Sequence, residues 1–246
     1  MRARSSAAIP VYHIRGQRLS GLPRRKETPL SRSLERAPVS QRLRRIGVLL
    51  SGSGSNLQAI INGVKNGSLP VEIGIVLSDN PDAFGLKRAA KAGIKAQYIP
   101  PGPKRTVLSP EAEAKYVAAL KEAGCELVCL AGFMRVIKDK ILTVFPGRVL
   151  NIHPSILPSF PGLEAWKQAF DYGVRFTGCT VHLVEKGVDT GPIILQAVVP
   201  VRPEDTPETL LNRIHREEHN IYPLAIKLFA ENRLKISGRR VFIEEK

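Results

Sequence analysis

From residue 45 onward, short apolar runs alternate with stretches of ten or more residues that carry helical spacing, and this alternation restricts the fold more than any other feature. Arg45–Leu50 is apolar past its first residue, the pattern of a strand buried on both faces. Leu57, Ile60, Ile61 and Val64 then recur at helical spacing, and Gly67 closes that helix. The pattern predicts further strands at 71–77, 97–99, 126–131 and 148–152. Between them it predicts helices at 83–92 and from Ser109, an N-cap with Pro110 at the first helical position, to about Glu122. Residues 100–108 hold three prolines and a glycine and read as a loop. Strands at 178–184 and 192–200, a long helix from about Thr206 to Ala230, and a short strand at 241–243 complete the reading. Such alternation implies an α/β fold: an open, mostly parallel, Rossmann-like sheet with helices on both faces. With no internal repeat and no linker after residue 45, residues 45–246 read as one domain.

The formal charge of +15 raises the question of a polyanionic partner, and its distribution answers it. Residues 1–44 hold eleven Lys and Arg against two acids, Glu27 and Glu35; the other 202 residues hold 26 basic and 20 acidic side chains. Most of the excess therefore belongs to the leader, and no aromatic-studded basic groove or zinc-ligand spacing accompanies it, so a nucleic-acid partner is not expected. The leader, with four prolines, six serines and neither structural period, is expected to be disordered. It reads either as a transit peptide for a plastid or mitochondrion, or as a tail or over-extended start preceding a cytoplasmic protein. No apolar run approaches the roughly 18 residues a membrane span needs. Three scattered cysteines, Cys125, Cys129 and Cys179, form no disulfide framework and no metal-ligand pattern, and fit a reducing compartment. No metal is expected.

Two segments carry chemistry. Ser51-Gly-Ser-Gly-Ser-Asn56 joins the first strand to the first helix, where doubly wound folds hold phosphate. Gly54, Ser55 and Asn56 would present backbone N–H groups at the positive end of the helix dipole. Leu57 stands where the dinucleotide fingerprint has its third glycine, and no Gly-Lys-Ser/Thr follows, so a phosphate monoester is the expected ligand. The alternative is a tight turn without a ligand. The second segment is Asn151-Ile-His-Pro154. In a strand, Asn151 and His153 share a face and stand at the carboxyl edge of the sheet, on a chain stiffened by Pro154, Pro158 and Pro161. An amide and an imidazole there suit acyl transfer to an amine: both can donate to an oxyanion, and the imidazole can move a proton near neutral pH. Asp189, in a glycine-flanked loop, is the candidate acidic partner for His153, with a turn-capping role as the alternative. His182 and His219 read as hydrogen-bonded structural residues.

These segments resemble the phosphoribosylglycinamide formyltransferases of purine synthesis. The resemblance rests on Ser51–Ile60, Leu130–Ile137, Asn151–Gly162, Thr177–Val184, Asp189–Gln196 and Glu217–Pro223, and runs from residue 45 to about 240 in order and spacing. It implies 10-formyltetrahydrofolate as co-substrate, glycinamide ribonucleotide as acceptor, and a monomer or homodimer. By resemblance Asn151, His153 and Asp189 are the catalytic trio: His153 donates the proton and meets the oxyanion, Asn151 holds the formyl oxygen, and Asp189 raises the imidazole pKa. Gly54, Ser55 and Asn56 match the phosphate loop, and His215, Arg216, Glu217 and Glu218 a segment beside the ribonucleotide, with Glu218 its carboxylate contact. Met134, Arg135, Val136 and Ile137 match one folate wall, and Glu185, Lys186, Gly187, Val188 and Asp189 another, with Asn151 between. The chain departs from relatives at His215, where a Gln is common, and at Ser109–Glu113, where some relatives carry an Arg toward the folate. Formyltetrahydrofolate hydrolase and methionyl-tRNA formyltransferase share the Asn-x-His-Pro core. The hydrolase normally adds an N-terminal domain, and the tRNA enzyme adds a C-terminal domain and lacks the Gly-Ser-Gly-Ser-Asn loop.

Overall fold

The computed structural model describes residues 45–245, so the expectations placed on the leader lie outside the described residues. The chain runs through β1 (Arg45–Leu50), α1 (Ser55–Lys65), β2 (Glu72–Ser78), α2 (Phe84–Lys91), β3 (Ala96–Tyr98), α3 (Pro110–Glu122) and β4 (Leu127–Leu130). It continues with α4 (Asp139–Val144), β5 (Val149–His153), α5 (Ala165–Tyr172), β6 (Phe176–Leu183), β7 (Ile193–Pro200), α6 (Pro207–Ala230), β8 (Leu234–Ser237) and β9 (Arg240–Ile243). Seven strands form one sheet in the order β3-β2-β1-β4-β5-β6-β7. The first five pair in parallel; β6 and β7 add antiparallel, and β8 and β9 form a separate hairpin.

Period-two alternation splits the core into two layers. Ile46, Val48 and Leu50 of β1 pack in one cluster with Leu57 and Ile60 of α1 and Leu210, Ile214 and Tyr222 of α6. Leu49 faces the other way, into a cluster with Tyr116 and Leu120 of α3 and Ile141 of α4. The expected layered α/β architecture is therefore present. Strand ends fall within about one residue of the sequence reading at β2 and β3, and α6 continues through Pro223. The α6 start is held by a capping box in which Thr206 Oγ1 accepts from the Thr209 N–H and Thr209 Oγ1 accepts from the Thr206 N–H. Tyr222, fully buried, directs its hydroxyl to the carbonyls of Leu130 (2.9 Å) and Leu150 (3.2 Å), tying α6 to the last residue of β4 and the second residue of β5.

Sequence reading missed α4, α5 and β8. The two helices are only 6 and 8 residues long, too short for a 3.6-residue period to repeat convincingly.

Candidate active site

Register lines the key residues up across the sheet: Leu49 pairs with Leu130, Leu130 with Asn151, and Asn151 with His182. His153 pairs with Thr180. Asn151, His153, Thr180 and His182 alternate with Leu150, Ile152, Val181 and Leu183, which belong to the α1/α6 cluster, so the four polar side chains occupy the opposite face. There the apolar layer beneath α3 and α4 ends, and the loop 154–164 covers the sheet. Thr180 Oγ1 fastens that loop, donating to Ser155 O at 2.7 Å and accepting from the Leu157 N–H at 3.1 Å.

The loop after β6 brings Asp189 to this patch with φ of 54°, a left-handed conformation that Asp enters more easily than most residues. Its Oδ2 accepts the Gly162 N–H at 2.8 Å and lies 3.4 Å from His153 Nδ1. Its Oδ1 lies 3.6 Å from His182 Nε2. Burial alone would raise the carboxyl pKa; contacts with His182, the Gly162 N–H and His153 together outweigh burial and hold it below the usual range. On the far side of the His153 ring, Nε2 lies 2.9 Å from the Phe160 carbonyl, which only accepts, so that nitrogen carries a hydrogen. Both ring nitrogens thus face oxygen. Burial nevertheless lowers the His153 pKa, because desolvation outweighs the opposing effects of Asp189 and the Phe160 carbonyl. Asp189 pulls in the expected direction, yet the net shift runs opposite to the expected rise.

His182, read from sequence as structural, belongs to the cluster. Its Nδ1 donates to Leu183 O at 2.8 Å, and its Nε2 stands 3.2 Å from the Asn151 amide nitrogen and 3.6 Å from Asp189 Oδ1. No local pattern marks it, because its closeness to Asn151 comes from antiparallel register between distant strands.

The glycine turn lies two strands away, about 10 Å at the ~4.8 Å strand spacing. Gly54 takes φ of 70° as the residue before α1, and a Cβ there would meet the Gly85 backbone at 2.6 Å, so only glycine fits. Asn56, buried, donates from Nδ2 to Glu218 Oε2 at 2.8 Å, while its Oδ1 is buried without a partner. Glu218 is 3% exposed, and burial pushes its pKa up to about 7 against the opposing Asn56 hydrogen bond. His215 Nε2 stands 4.0 Å from Glu218 Oε2. Ser55, Asn56, His215 and Glu218 thus gather at one end of α1. Arg216 and Glu217 do not join them. They line a separate cavity with Arg202 and Arg213, since successive helical residues point about 100° apart.

The two expected folate walls flank the patch. Met134 and Val136 are exposed apolar residues, whereas the Ile137 side chain is core. The N–H groups of Met134 and Val136 are engaged by Ser51 Oγ (2.8 Å) and Thr106 O (2.8 Å). The Arg135 guanidinium turns inward, pairing with Asp79 Oδ2 at 2.5 Å and donating to the carbonyls of Lys104 and Arg105, so it anchors the 100–108 loop. In the second wall, Val188 is exposed, Lys186 pairs with Asp139 at 2.8 Å, and burial raises the Glu185 pKa. Arg239, at the tip of the β8–β9 hairpin, donates to Thr190 O at 2.9 Å and braces this loop. Among the described residues no group of three or more His, Cys, Asp or Glu is arranged to hold a metal ion, and no helix is long and apolar enough to cross a membrane.

Residues 44–226 match the formyl transferase family. The chain is 40% identical over 200 residues to the phosphoribosylglycinamide formyltransferase of Escherichia coli (strain K12), covering 81% of this chain and 93% of that protein. It is 46% identical over 201 residues to the trifunctional purine biosynthetic protein adenosine-3 of Drosophila pseudoobscura pseudoobscura, but spans only 14% of that protein's length. Its structure superposes on that of glycinamide ribonucleotide transformylase 1 from Symbiobacterium toebii with a TM-score of 0.80 at 53% identity, covering 84% of this chain and 96% of that one.

Proposed function

The chain belongs to the formyl transferase family, and from that premise we propose that it transfers the formyl group of 10-formyltetrahydrofolate to the amine of glycinamide ribonucleotide. The observation that carries this reading is the juxtaposition of His153, Asp189 and Asn151 at one sheet edge, about two strand spacings (~10 Å) from a helix start suited to a phosphate.

In this reading the ribonucleotide lies along the sheet edge, with its phosphate at Gly54–Asn56 and its ribose at Glu218 and His215. The folate enters between Met134–Val136 and Glu185–Asp189, with the exposed Met134, Val136 and Val188 side chains against it. The substrate amine attacks the formyl carbon, and the carbonyl electrons move onto oxygen, where the Asn151 amide donates. With the substrate amine taking the place of the Phe160 carbonyl at Nε2, the ring hydrogen is carried on Nδ1 toward Asp189. His153, held below its ordinary pKa by burial, then accepts at Nε2 the proton released by the amine. The imidazolium so formed is stabilised by Asp189 and can donate to the oxyanion. It then gives its proton to the folate nitrogen as the carbon–nitrogen bond breaks, leaving formylated amine and free tetrahydrofolate. Loss of one oxyanion donor in such a site typically costs ~2.7–4 kcal/mol of barrier.

The test is an assay of the purified full chain with both substrates, using water alone as acceptor in the control. Tetrahydrofolate formation that requires the amine supports the reading; formate release at the same rate without it points instead to hydrolysis.

A further inference from the structure

The β8–β9 hairpin stands outside the main sheet, yet it touches the loop that carries Asp189. Leu234, Ile236 and Val241 pack against the α1/α6 cluster and seat the hairpin beside β7. Register pairs Ser237 with Arg240, so Gly238 and Arg239 form a two-residue turn. Gly238 opens that turn with φ of 58°, the left-handed conformation such tight turns demand at this position. The turn therefore sets where Arg239 stands, since its own side chain is exposed.

The loop it meets is closed at its base. There the Leu183 N–H donates to Pro192 O at 2.9 Å, and a Cβ on Gly191 would fall 1.7 Å from Leu183 O. Between those ends Asp189 is held at φ of 54°. A non-glycine residue keeps such a conformation only where its surroundings fix it. On the inner side Asp189 is met by the Gly162 N–H and by His153 and His182. On the outer side Arg239 Nη1 donates to Thr190 O at 2.9 Å, one residue after Asp189. The Arg239 charge also acts on Glu185 at the other end of the loop, where burial raises the carboxyl pKa and Arg239 opposes the rise. Lys186 pairs with Asp139 as well, but both side chains are largely exposed, and such a pair holds little. A guanidinium carries five N–H donors in a fixed fork and can address two points at once; an ammonium is a point charge on a flexible stem.

We propose that Arg239 is a positioning residue for formyl transfer: by spanning Glu185 and Thr190 it holds the Asp189 carboxylate against His153, which joins the C-terminal hairpin to the active site. This rests on the functional reading above. Arg239 acts through Asp189 and not on the ribonucleotide, so its loss slows turnover without weakening that substrate.

The experiment measures kcat and KM for glycinamide ribonucleotide in the full chain. It compares wild type, Arg239→Gln, Arg239→Lys, Asp189→Asn and the double variant Arg239→Gln/Asp189→Asn, with Arg240→Gln as the control for losing a hairpin charge. Arg239→Gln should lower kcat about 10-fold and leave KM within about twofold, the pattern of a small displacement at a reacting centre. Arg239→Lys, which keeps the charge but not the fork, should lose about threefold. In the Asp189→Asn background Arg239→Gln should cost nothing further, because the group it positions is gone. Losses that multiply in the double variant, as general loosening of the hairpin would give, overturn the proposal. So does a wild-type kcat in Arg239→Gln, or an equal loss in Arg240→Gln. Should Arg239→Gln fail to fold, Arg239→Lys decides: a loss that disappears in the Asp189→Asn background supports the proposal, and no loss, or one that persists there, overturns it. Wild-type turnover in Asp189→Asn counts against the functional reading and this inference with it; a slowed Asp189→Asn beside an unaffected Arg239→Gln counts against this inference alone.

Discussion

The Asn151 amide lies 3.2 Å from His182 Nε2, and the other nitrogen of that ring is fixed by the Leu183 carbonyl at 2.8 Å. The imidazole of His182 therefore sets which way the Asn151 amide points. His182→Leu removes that partner and leaves Asn151 free to rotate. Because small misplacements at a reacting centre are costly, kcat should fall about 10- to 100-fold with little change in KM for either substrate. Steady-state kinetics check this; an unaltered kcat would show that His182 orients nothing of consequence.

Asp189 opposes the burial that lowers the His153 pKa. Removing its charge should lower that pKa further. In Asp189→Asn the acid limb of the kcat/KM profile, which follows protonation of the accepting imidazole, should move to lower pH. kcat should also drop by about 10²–10⁴, the usual scale of general acid–base catalysis. A pH–rate series on both proteins reads the two effects. An acid limb shifted upward would reverse the assigned electrostatics.

Glu218 is buried, and burial raises its folded pKa to about 7, above its ordinary 4.5. A raised folded pKa means that the native state binds more protons than the unfolded state within that window. Stability from this group is thus fully present below about 4.5 and is lost as pH rises through about 7. Glu218→Gln removes this loss. Chemical denaturation should find the variant more stable than wild type by up to about 3 kcal/mol above pH 8, with the difference vanishing below pH 5. A pH-independent difference would contradict the assignment. In the same variant the ribonucleotide should bind more weakly.

Tyr222 offers one hydroxyl hydrogen to two buried carbonyls, those of Leu130 and Leu150. Tyr222→Phe leaves those acceptors without that donor and should cost about 1–3 kcal/mol of stability. Because the contact lies below the reacting groups, kcat should stay within about twofold of wild type, near the neutral end of single-substitution effects. Thermal unfolding and kinetics together check this; a large kcat loss with unchanged stability would place Tyr222 in the chemistry instead.

Much of this architecture was legible because its signals are local. Buried parallel strands such as Arg45–Leu50 read as apolar runs, the Ser109-Pro110 start of α3 carries its own cap, and Gly54 announces a turn that only glycine can make. Asn151 and His153 share one face because a strand's period of two places them there. What escaped was relational. His182 reaches Asn151 through the β5–β6 register, the Arg135 guanidinium turns toward Asp79, and Arg239 reaches Thr190 from a hairpin 49 residues away. Burial of His153 is relational too: the sequence offers a carboxylate that raises its pKa but not the desolvation that outweighs it. Arg216 and Glu217 adjoin Glu218 in sequence, yet helical geometry turns them to another face.

The proposed mechanism requires His153 to carry the proton in formyl transfer. Single-turnover transfer by the purified full chain, compared with His153→Ala at matched stability and saturating substrates, tests this most directly. The expected rate in the variant is lower by about 10²–10⁴. A variant that turns over near the wild-type rate would contradict it.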